Sequence, residues 1–104
     1  MISNEIVLDS NKIREFCREW QIRELSVFGS VLRDDFHSDS DVDFLAEFDS
    51  SSHWDLADLL DMREELGRIV GRRVDLLTRA CVESSSNRLL KREILSTLER
   101  IYAA

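Results

Sequence analysis

The sequence predicts a small α/β (α+β) domain, a mixed β-sheet flanked by helices. Three observations carry this. Apolar residues recur at helical spacing in three separate segments. One segment, "DVDFLAEF" (41–48), alternates strictly instead. The connections between segments are short, with no proline and only three glycines in the chain. A length of 104 residues is the size of one compact domain with a thin core, so a single domain over 1–104 is expected.

The elements follow in order. "DSNKIREFCREWQI" sets Ile13, Phe16, Cys17 and Trp20 at helical spacing, with Asp9 or Ser10 as the cap. "ELSVFG" reads as a strand that stops at Gly29, and a short helix is expected from Ser30. "DVDFLAEF" places Val42, Phe44, Ala46 and Phe48 on one face and Asp41, Asp43, Leu45 and Glu47 on the other. "WDLADLLDMREELGRIVG" is the strongest helix, with a stripe of Leu56, Leu59, Leu60, Leu66, Ile69 and Val70 and a stop at Gly71. "RRVDLLT" is a third strand. "NRLLKREILSTLERIYAA" is expected to be a closing helix with Leu90, Ile94, Leu98 and Ile101 on one side. The serine runs at 50–52 and 84–86 serve as polar connectors and helix caps. The order is then α-β-α-β-α-β-α, with part of one sheet face free.

Composition narrows the function. Hydrophobic content of 43% and charged content of 34% fit a globular chain. A net charge of −7 argues against a general nucleic-acid-binding surface, which needs cations to neutralise phosphates. No apolar run is long enough to span a membrane, and the opening residues lack the pattern of a signal peptide. Two cysteines outside any CxxC pair argue against a zinc site or disulfide framework, and a reduced, cytoplasmic location is expected.

The unusual feature is acidic. Asp41 and Asp43 lie two apart on a strand, roughly 6.6 Å from each other on one face. At an effective dielectric near 20 they repel by about 2.5 kcal/mol. A divalent cation reverses that sign, and Mg²⁺ takes one or two carboxylates together with substrate phosphates. Asp75 in the next strand offers a third carboxylate. Solvated charges at strand ends are the plain alternative. Gly29 and Ser30, twelve residues before Asp41, add context: a backbone that can approach an anion, a hydroxyl, and Arg33 a helical turn further on. An ordinary capped turn would look the same in isolation. A calcium loop fails because Phe44 and Ser50 stand where it requires Gly and Glu.

Taken together, "GSVLRDDFHSDSDVDF" resembles the signature of the minimal nucleotidyltransferases of the DNA polymerase β superfamily, at Gly29, Ser30, Arg33, Ser40, Asp41 and Asp43. "GRRVDLLT" is similar to the family's third acidic strand, and "REILSTLERIY" to its closing helix, so the resemblance spans roughly residues 20 to 102. Asp34 departs from it, since glycine is common there. The resemblance implies a polymerase β-like fold that uses Mg²⁺ and ATP. Asp41, Asp43 and Asp75 would be the metal-binding and catalytic carboxylates, and Gly29, Ser30, Arg33 and Ser40 the nucleotide-binding residues. It further implies an antitoxin that transfers AMP from ATP to a tyrosine of a HEPN ribonuclease toxin, in a hetero-oligomer with that toxin. Inhibition mainly by direct binding, or a small-molecule nucleotidyltransferase working with a helical partner subunit, are the competing functions.

Overall fold

The computed structural model describes residues 9–28, 42–51 and 53–104. The elements in chain order are α1 (Ser10–Glu19), β1 (Ile22–Phe28), β2 (Val42–Phe48), α2 (Leu56–Val70), β3 (Val74–Thr78), α3 (Arg79–Glu83), α4 (Arg88–Ser96) and β4 (Glu99–Ala103). The helix expected from Ser30 lies outside the described residues.

The four strands form one mixed sheet in the order β3-β2-β1-β4. β1 pairs antiparallel with β2 and β4, and β2 pairs parallel with β3. A parallel pair needs a crossover, and α2 supplies it. The alternation in β2 sorts the faces as the sequence predicts. Val42, Phe44 and Ala46 enter the main core with Ile13, Phe16 and Cys17 of α1 and Met62, Leu66 and Val70 of α2. The opposite face is covered in part: Leu45 joins Phe28, Val82 of α3 and Ile94 of α4 in a second cluster.

Helix ends follow capping chemistry. Asp9 caps α1 by accepting from the amides of Asn11 and Lys12. Asp55 and Asp58 form a reciprocal capping box on α2, and Asn87 caps α4. The expected serine caps are therefore replaced by Asp55 and Asn87. Gly71, at φ 72°, closes α2 in the left-handed conformation. Gln21, at φ 57°, makes the turn from α1 into β1, and its carbonyl accepts from the Asp49 amide at 2.9 Å. Trp20 and Trp54 meet edge to face at a centroid distance of 5.1 Å. The Trp54 indole donates to the Trp20 carbonyl and the Trp20 indole to Glu65.

Three expectations are corrected. The stripe on α2 is rotated: Met62, Leu66 and Val70 are buried, whereas Leu56 and Leu60 are 71% and 46% exposed. A short helix, α3, follows β3 directly because the Thr78 hydroxyl caps it through the Cys81 amide. The closing helix stops at Ser96, and residues 99–103 form an edge strand on β1. The Thr97 hydroxyl donates to the Glu93 carbonyl at 2.8 Å, diverting a carbonyl of the last turn, and the exposed edge of β1 then captures Arg100 to Tyr102.

Candidate active site

The β2–β3 register places the acidic residues. Val42 pairs with Val74 and Asp43 with Asp75. Neighbouring strands lie about 4.8 Å apart, and directly paired residues share a face, so the two carboxylates project side by side. Asp43 is half-buried between the fully buried Val42 and Phe44, while Asp75 is exposed on the edge strand. On its other side Asp43 pairs with Phe28, the last residue of β1. Gly29 and Ser30 thus follow in sequence from the strand end beside Asp43. The apolar cluster of Phe28, Leu45, Val82 and Ile94 lies on the same sheet face and gives the carboxylates a rigid base.

The chain entering β3 is fixed from two directions. The Val42 amide donates to the Arg73 carbonyl at 3.0 Å. On α2, Gly67 lets the backbone return closely: a Cβ there would stand 3.1 Å from the Arg72 carbonyl oxygen. These contacts set Arg72 and Arg73 just before Asp75. An open groove of about 860 Å³ runs between the end of α2 and this segment, with Leu60, Arg63, Gly67, Arg72, Arg73 and Asp75 among its lining. A smaller cavity of about 440 Å³ lies at the far end of the same strands, beside Phe48, Trp54, Thr78 and Arg79.

Of the residues expected to form the site, Asp43 and Asp75 are brought together. Gly29, Ser30, Arg33, Ser40 and Asp41 lie outside the described residues. Among the described residues no group of three His, Cys, Asp or Glu gathers. The donor set still suits a hard cation: two adjacent oxygen-donor carboxylates, and Asp41 next in sequence to Val42. Sequence reasoning did not place Arg63 near Asp75. It lies twelve residues away, and the return of the chain after Gly71, passing close to Gly67, brings it to the same groove.

A mixed sheet of this order, flanked by helices, is found in known proteins. The model for the nucleotidyltransferase domain matches residues 10–101, and the chain belongs to that family. The protein adenylyltransferase MntA of Thermococcus cleftensis is 32% identical over 91 residues, which cover 88% of this chain and 89% of the relative. Among solved structures, a chain of a toxin–antitoxin crystal structure with AMP-PNP superposes at a TM-score of 0.70 with 20% identity, covering 93% of this chain and 75% of that one. A chain from the complex of a tri-AMPylated HEPN toxin of Shewanella oneidensis with an MNT antitoxin gives a TM-score of 0.62 at 18% identity, over 91% of this chain and 70% of that one. These two likenesses establish the shared fold.

Proposed function

We propose that this chain is a protein adenylyltransferase and antitoxin, a single nucleotidyltransferase domain acting in the cytoplasm. It transfers AMP from ATP to a tyrosine hydroxyl of a cognate HEPN ribonuclease toxin. The observation that carries this is the side-by-side placement of Asp43 and Asp75 on β2 and β3, at the strand end from which Gly29 and Ser30 follow. Its kinship to the Thermococcus adenylyltransferase and its likeness to toxin-bound antitoxins support the acceptor being a protein.

Asp41, Asp43 and Asp75 fit Mg²⁺ by donor chemistry, and the ion would supply charge neutralisation for the triphosphate. The chain's own residues divide the remaining work. Gly29, Ser30, Ser40 and Arg33 would hold the phosphates. Asp75, from the edge strand, would orient the acceptor hydroxyl and take its proton as oxygen attacks the α-phosphorus and pyrophosphate leaves. Adding AMP places a bulky anion on the toxin, which blocks RNA without unfolding it.

The test is to incubate the HEPN toxin with this protein, ATP and Mg²⁺, separate the chains, and record toxin mass and ribonuclease activity. The expected result is an AMP-sized mass increase and inhibition that persists after separation, neither occurring without Mg²⁺. Unmodified toxin that regains full activity would assign inhibition to docking instead.

A further inference from the structure

One flank of α2 is apolar where the helix starts and opens on the acidic site where it ends. Leu56, Leu60, Arg63 and Gly67 stand four, three and four residues apart, so they share one side of the helix. Met62, Leu66 and Val70 face the core instead. Leu56 and Leu60 are exposed. A single exposed leucine is ordinary on a protein surface, but these two are in line with a groove. Leu60, Arg63 and Gly67 line the open space of about 860 Å³ that Asp75 also lines. From Leu56 to Gly67 the flank runs about 16 Å, or about three helical turns, the length of a short docked helix. The lining sets Arg63, Arg68, Arg72 and Arg73 against Glu64 and Asp75, a local excess of positive charge in a chain of net charge −7. That excess belongs to the lining as a whole and does not require free arginines. Arg68 is bonded to Glu64 at 3.2 Å, and Arg72 and Arg73 are engaged as well.

We propose that this flank and groove are the docking face for the HEPN toxin, taking an amphipathic helix whose apolar side covers Leu56 and Leu60 and whose acidic residues face Arg63. The inference rests on the adenylyltransferase function proposed above and says where its protein substrate sits. Two observations choose the occupant. A tyrosine that gives up its proton at Asp75 has to arrive through space that Asp75 lines, so the toxin carrying it lies against this groove. The positive lining attracts an acidic segment and repels a basic one. A second copy of this chain is disfavoured, because two bodies of net charge −7 repel each other. The apolar pair supplies buried contact and the charges fix direction, so the tyrosine is presented at the Asp75 end. Leu89 and Leu90 of α4 are also exposed, but neither lines this groove, and they provide an internal comparison.

The experiment measures affinity for the HEPN toxin calorimetrically, without ATP, for the wild-type protein, L56Q/L60Q, R63E and L89Q/L90Q. Glutamine keeps a helix propensity close to that of leucine. Toxin affinity should fall roughly tenfold or more in L56Q/L60Q. It should also fall in R63E, by a factor that shrinks as salt is raised, and should stay near wild type in L89Q/L90Q. ATP affinity should be unchanged in all three variants. Transfer by L56Q/L60Q should show a raised KM for toxin with kcat nearly retained, a split that loss of folding does not produce. Unchanged toxin affinity in L56Q/L60Q or in R63E, or a larger loss in L89Q/L90Q, overturns the proposal. So does a wild-type dimer that L56Q/L60Q dissociates without a change in toxin affinity, which gives the face to a second copy. Toxin that binds the wild type but gains no AMP overturns the transfer reaction alone, since affinity is read without ATP. Toxin that does not bind the wild type overturns the partner, and this inference with it.

Discussion

Asp43 and Asp75 are direct partners across the parallel β2–β3 pair, so two carboxylates share one face with about one strand spacing between them. Like charges directly opposed on a sheet destabilise it. The arrangement makes sense where a cation or a reacting proton uses it. Asp75→Asn should therefore stabilise the metal-free protein, by up to about 1 kcal/mol, since the exposed position screens the repulsion. It should also weaken the stabilisation that Mg²⁺ confers and slow AMP transfer about a hundredfold or more, with a smaller loss of ATP affinity. Thermal melts with and without Mg²⁺, ATP titration and single-turnover transfer measure the four effects separately. Near-normal transfer by Asp75→Asn would remove this residue from the catalytic assignment.

Two glycines of α2 and its cap should behave differently. At Gly71 the requirement is φ 72° with open space around a Cβ, so Gly71→Ala should cost about 1–2 kcal/mol with little change in transfer. At Gly67 the conflict is with the backbone: a Cβ would stand 3.1 Å from the Arg72 carbonyl, in a segment tied to β2 through Arg73 and Val42. Better helix propensity returns about 1 kcal/mol, against about 1–3 kcal/mol for the crowding. Gly67→Ala should thus be destabilising overall and should also lower transfer, because the displaced residues lead straight into Asp75. Denaturant midpoints paired with transfer rates distinguish the two. Equal activity loss in both variants would contradict this account.

Much of the fold, and the face on which Asp43 stands, were legible for a common reason: local pattern decided them. Val42, Phe44 and Ala46 alternate because one face of β2 is core, and Asp43 falls on the other face by the same rule. The last segment was misleading because Ile94, Leu98 and Ile101 fit helical spacing equally well. The outcome was set by a partner far away in sequence, the edge of β1, where Ser26 pairs with Arg100. Register is also non-local. Sequence spacing pointed to Asp75 as a candidate, but only strand pairing sets it opposite Asp43, and the return of the chain after Gly71, passing close to Gly67, brings Arg63 into the same groove.

Glu24 and Glu47 are likewise partners across β1 and β2, and they titrate in opposite directions. The hydrogen bond to Arg100, at 2.9 Å, holds Glu24 below the usual carboxylate range. The hydrogen bond to Glu24, followed by burial, pushes Glu47 up. Glu24 therefore contributes stability above the unfolded-state pKa and loses it as pH falls through its lowered folded value. Glu47 has the reverse sign: its favourable contribution is present at low pH and is lost as pH rises through its raised value. Glu47→Gln should stabilise the protein at neutral pH, because an amide can donate to Glu24. The gain should shrink as pH falls through the carboxylate range, where the wild-type residue is itself protonated. Melting temperatures of both proteins from pH 3 to pH 8, roughly the span of carboxylate titration, test this. A difference independent of pH would mean the two side chains do not share a proton.

The two cysteines should separate cleanly by reactivity. Cys17 lies on the inner face of α1 with no exposed surface, and burial pushes its thiol up to about 12. Cys81, in α3, is exposed. The thiolate is the reactive form, so Cys17 is protected twice, by lack of access and by lack of ionisation. At about pH 8, near the ordinary thiol pKa, an alkylating reagent should modify Cys81 promptly and Cys17 only through opening of the α1–sheet core. Because Cys17 packs with Phe16, Leu25 and Phe44 in the main cluster, the opening that exposes it approaches global unfolding. In Cys81→Ser protein, the labelling rate of Cys17 should rise steeply with denaturant, with a slope close to that of equilibrium unfolding. Fast labelling of Cys17 without denaturant would show that α1 detaches from the sheet in a local event.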